Sequence, residues 1–119
     1  MIAEVREALR DIVKPAGWDV YTFLPDDVNR VPCVVVGQLS MDVDAQLYAA
    51  TAPVYVVGRR LGDEDSQSEL DNTVDRVVEL LGMYGQQVAV THFEPVARVI
   101  AGQSYPAYRI DVAVGFSIC

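Results

Sequence analysis

The run VPCVVVGQL, residues 31 to 39, narrows most sharply what this chain can fold into. Successive side chains of a strand point to opposite faces, and here nearly every position is apolar, so a strand built from it needs cover on both sides. A sheet with one wet face cannot provide that, which predicts a central strand in a layered core. A chain of 119 residues makes one domain, which buries roughly two-thirds of its unfolded surface. The layers must therefore belong to a single core.

Two segments have the period of helices. Ile2, Val5, Leu9, Ile12 and Val13 form one stripe, with Glu4 and Glu7 early and Arg10 and Lys14 late, an order that suits the helix dipole. Pro15 and Gly17 stop it. The stronger signal is Leu70, Val74, Val77, Val78 and Leu81, spaced at i, i+4, i+7, i+8 and i+11, with an end near Gly82 or Gly85.

Strands are predicted over WDVYTF (18 to 23), ended by the turn PDD, over 31 to 39, over VYVVGRR (54 to 60), and over QVAVTHF and VARVI, the last two interrupted by Pro95. The closing run alternates cleanly: Tyr108, Ile110, Val112, Val114, Phe116 and Ile118 share one face, and Arg109, Asp111, Ala113, Gly115 and Ser117 the other. Segment 40 to 53, SMDVDAQLYAATAP, is expected to be a long hairpin arm, with a turn near Asp42 to Ala45 and a returning strand before Pro53. Together these predict an α+β two-layer sandwich, a mostly antiparallel sheet with two helices packed on one face.

Composition excludes several classes. A net charge of −8 opposes a surface that holds nucleic acid by neutralising phosphates. No apolar run approaches the roughly 18 residues of a membrane-spanning helix. The opening residues mix acids and bases and lack the apolar centre of a signal peptide, which predicts an unexported chain with Cys33 and Cys119 as reduced thiols.

Chemistry-bearing patterns fare no better. The acidic stretch GRRLGDEDSQSELD (58 to 71) resembles a calcium loop through Asp63, Asp65 and Gln67, but its sixth position is Ser68 where glycine is needed and its twelfth is Val74 where a glutamate should chelate. Ser66 to Glu69 spells S-x-x-E, so the stretch is read as a capping box opening the second helix. GQSYP (102 to 106) has Pro106 where a hydrolase elbow has its last glycine, and it joins two strands rather than a strand and a helix. His92 is the only histidine, and a triad of Ser104, Asp111 and His92 would rest on spacing alone. Cys33 within its valine run is read as inert core. The sequence has no phosphate-binding glycine loop of either common kind. No catalytic residue, metal ligand or cofactor is expected.

The order of elements resembles the tail terminator (tail-completion) proteins of long-tailed bacteriophages. The matching parts are the helix from residue 2, VPCVVVG, a hairpin arm, APVYVVGRR, the acid-led helix SELDNTVDRVVELLG and the closing strand AYRIDVAVGFSI. The resemblance spans nearly the whole chain. It implies a virion protein without catalysis or cofactor that forms a hexameric ring on the last ring of tail tube subunits, stops tube polymerisation and offers a surface to the head–tail connector. DNA would pass through the ring without specific binding, and the protein could be monomeric in the host cytoplasm until it meets the tube.

Subunit contacts are expected on the arm 40 to 53 and on the polar face of the last strand. The candidate interface residues are Asp42, Asp44, Arg59, Arg60, Arg109 and Asp111, the arginine pair meeting acids such as Asp42, Asp44 or Asp63 of a neighbour. Two alternatives stand beside this reading: a small ligand-binding protein or enzyme with a pocket between sheet and helices, and another structural protein of the phage neck.

Overall fold

The computed structural model describes residues 2–22, 31–43, 47–59, 64–83 and 88–117. Helix α1 spans Ile2–Val13 and gives way to a 3-10 turn, Lys14–Ala16, closed by Gly17 at φ 103°. Strand β1 is Asp19–Tyr21, β2 Cys33–Val36, β3 Ser40–Val43 and β4 Leu47–Val57. Helix α2, Glu64–Gly82, precedes the two longest strands, β5 Val88–Ile100 and β6 Gln103–Ser117.

The strands form one sheet in the order β1-β2-β4-β6-β5, with β3 pairing along β4 beyond the end of β2. Among the described residues only the β1–β2 pair is parallel. This is the expected α+β sandwich, and both helices lie on one face. Leu9 and Val13 of α1 and Leu70, Val74, Val77 and Leu81 of α2 share one buried cluster with Val34, Val36, Val54, Val56, Ile110 and Val112 of the sheet. Registers Val36↔Val54 and Val54↔Ile110 put those side chains in line across three strands.

The second face of β2 is covered by something the sequence reading did not foresee. Cys33, Val35 and Val57 are buried together with Ile100, Tyr105 and Ala107 from the far end of the β5–β6 hairpin. The device behind this is a β-bulge at Thr91, where the register slips between Val90 and His92. Before it, Val88 and Val90 face the helices; after it, the even-numbered residues Val96 and Ile100 face the other way. One extra residue turns the whole remainder of the strand over. All four residues of β2 are consequently buried, as its valine run demands.

Three expectations on element bounds are corrected. Pro95 does not divide β5, because β5 is the outermost strand and an edge tolerates a residue without N–H. Nor does Pro53 divide β4, which runs unbroken through the boundary between the expected arm and the expected strand at 54. Pro53 sits where β2 has ended and β3 has not begun, and its carbonyl accepts from Gly37 N–H at 2.7 Å. N–H and C=O of one strand residue point to the same side, so the missing donor faces that gap. Finally, α2 starts at Glu64, so Ser66 lies inside its first turn instead of capping it. Glu64 and Asp65, next to the positive helix end, favour the earlier start.

Candidate functional site

Of the six expected interface residues, the structure brings Arg109 and Asp111 together. Arg109 Nε donates to Asp111 Oδ1 at 2.9 Å along one face of β6. That hydrogen bond, the carboxylate's charge and more distant Tyr55 and Glu94 hold the guanidinium more firmly protonated than usual. Glu94 and His92 of β5 stand opposite the pair in register, and His92 Nε2 lies 3.6 Å from Glu94 Oε2. The result is a polar patch with both signs of charge on the middle of the hairpin.

Arg59 is engaged within its own chain, donating to Glu69 Oε1 of α2 at 3.1 Å. Asp42 lies in β3, opposite Ala49, and its side chain is outside what the structure describes. Asp44, Arg60 and Asp63 also fall outside the described residues.

The hydrolase arrangement is not assembled. Ser104 and Asp111 are seven positions apart on one strand, roughly 23 Å at 3.3 Å per residue. Among the described residues no group of three or more His, Cys, Asp or Glu is placed to hold a metal ion. Cys33 is fully buried, and desolvation, with a smaller contribution from Asp19, pushes its thiol up to about 11, which disfavours the nucleophilic thiolate.

Two features stand out that sequence reasoning missed. The first is apolar. Phe93 and Val99 of β5 are 52% and 62% exposed, and Pro95, Ala97 and Pro106 beside them are also exposed. They lie on the side of the hairpin facing away from the second cluster, beside the outer edge of β5, which pairs with no strand among the described residues. The alternation of the last strand pointed to a helix-covered face but could not show where the cover stops.

The second feature is a cleft of about 510 Å³ at the end of β2, where the sheet opens between β2 and β3. Arg6 of α1 and Arg98 of β5 both line it, with Thr22, Gln38 and Tyr55. Arg6 Nη2 donates to the Val36 carbonyl at 3.2 Å, and the Arg98 guanidinium lies 4.1 Å from the centre of the Tyr55 ring. Both arginines carry a buried Nε–H without an acceptor among the described residues. A signal existed in the sequence: each arginine occupies an otherwise apolar position, Arg6 between Ile2 and Leu9 on the helix stripe and Arg98 between Val96 and Ile100.

The sequence matches no protein-family model and no curated protein.

Proposed function

We propose that the protein is an assembly component, a tail terminator that closes into a ring on the end of a phage tail tube, ends its polymerisation and presents a surface for head joining. The observation that carries this reading is the hairpin edge. A 13-residue outer strand whose outer edge pairs with no strand among the described residues, flanked by exposed Phe93, Pro95, Ala97, Val99 and Pro106, is a surface that a folded chain ordinarily covers. The occupant is a second copy of the chain. The sheet's other edge is the three-residue β1, so its two ends differ, as a head-to-tail contact repeated around an axis requires.

The resemblance of the element order to tail terminators supports the same reading, and the Arg109–Asp111 pair lies on the strand where subunit contacts are expected. With a charge of −8, a ring of such chains would favour an acidic lumen through which DNA passes without sticking. A lumen lined with arginine would contradict that part.

The test is tube growth. Added in small amounts to its polymerising tail tube protein, the wild-type chain is expected to shorten the tubes seen by electron microscopy, and Phe93→Ser with Val99→Ser to leave them long. Tubes of unchanged length with wild-type protein would overturn the proposal.

A second reading, a small-molecule binding protein, is favoured by the arginine-lined cleft. It predicts a stable monomer or dimer indifferent to tube protein.

A further inference from the structure

The cleft at the end of β2 is cationic in a chain that is acidic overall. Among the described residues its lining includes Arg6 and Arg98 and no aspartate or glutamate, although the chain has seventeen acids and nine bases. No ion pair joins either arginine to an acid among the described residues. Arginines on an acidic surface normally find carboxylates; these two are turned instead towards a common space.

Their geometry is held by the fold. Arg6 is anchored by its bond to the Val36 carbonyl, and Arg98 by the face of Tyr55. What remains is a buried Nε–H on each. Each Nε–H is closed off from solvent, and the outer N–H groups of a planar guanidinium form a fork that fits two oxygens of one anion. Thr22 and Gln38 add neutral hydrogen-bonding groups to the same walls. At Gly37 a Cβ would lie 2.7 Å from Pro53 Cγ, so this wall of the cleft is backbone packed directly on Pro53.

We propose that this cleft binds an oxyanion, a carboxylate or phosphate group held between Arg6 and Arg98. The site does not depend on the ring reading. The oxyanion has two sources, a free anion in solution or a carboxylate side chain of a second copy, and the same experiment separates them.

Inorganic phosphate and, separately, acetate are titrated into the ¹⁵N-labelled full chain at constant ionic strength, following the Nε–Hε resonances of both arginines and the amides of Gly37 and Gln38. A saturable shift of these signals assigns a free anion. A shift that appears only as protein concentration rises assigns the neighbour's carboxylate. In either case Arg98→Gln is expected to weaken the response about tenfold or more, the loss of a charge-assisted bidentate contact, and Arg98→Lys to fall between. Arg6→Gln serves as the second variant, and unchanged amide spectra away from the cleft confirm that each variant is folded. No saturable shift with phosphate, acetate or protein concentration, or equal responses in wild type and Arg98→Gln, would overturn the site. Whether tubes are arrested is read independently, so failure here leaves the ring reading standing and the reverse.

Discussion

Gly37 and Gly102 show how two glycines of one chain are required for different reasons. At Gly37 a Cβ would meet Pro53 Cγ at 2.7 Å and its carbonyl oxygen at 3.0 Å, so Gly37→Ala is expected to destabilise by about 1–3 kcal/mol through overpacking, measured by urea unfolding. Gly102 has open space around it but φ of 77°, and with Ala101 at φ 51° it forms a two-residue hairpin turn with both dihedrals positive. Gly102→Ala should therefore cost only about 1 kcal/mol, and Ala101→Gly should stabilise. Cys33 offers a test by pH. Its folded-state pKa of about 11 lies above the ordinary 9.0, so the stability it contributes is present below pH 9 and lost as pH rises towards 11. Wild-type stability should fall more steeply over that window than that of Cys33→Ala, and parallel curves would refute the burial argument. The valine run already implied a buried Cys33, because its neighbours on both sides are apolar. The close approach of Gly37 to Pro53 was not legible, since it depends on β2 and β3 sharing one edge of β4.

At the scale of elements, local periodicity was readable and the covering of the second sheet face was not. Helix α1 ends as Pro15 and Gly17 dictate, and α2 ends at Gly82. The start of α2 moved because a capping box and acids in a first turn are both favoured at the positive helix end, and the sequence alone does not say which prevails. Strand β5 misled for a clearer reason: Pro95 reads as a break only when the strand is not at an edge, and edge position is a property of the assembled sheet. The bulge at Thr91 gives no sequence signal of its own, yet it sends Ile100 into the second cluster. Ile100→Ala should accordingly cost about 2–5 kcal/mol, as much as Leu81→Ala in the helix-side core, although Ile100 ends a strand on the sheet's edge. A cost within 0.5 kcal/mol would mean that the hairpin end does not pack on β2. By contrast Glu69→Ala, which breaks a half-exposed pair with Arg59, should change stability by less than about 1 kcal/mol.

The whole molecule is elongated, 49 × 26 × 21 Å, with its longest strands forming the hairpin that carries the exposed apolar edge. The alternation of β6 put Arg109 and Asp111 on one face, where they pair, whereas Arg59 is engaged by a helix whose position relative to the sheet no local pattern reveals. The apolar hairpin stripe escaped notice because exposure is decided by where α2 ends in space. These features are accounted for if copies of the chain cover one another's edges around an axis. The most direct test is the absolute mass of the protein by light scattering across a wide concentration range, alone and then bound to assembled tail tubes. The account predicts a monomer or a species of six times 13.1 kDa in solution, and six chains retained per capped tube end. A stable dimer at every concentration that does not bind the tubes would contradict it.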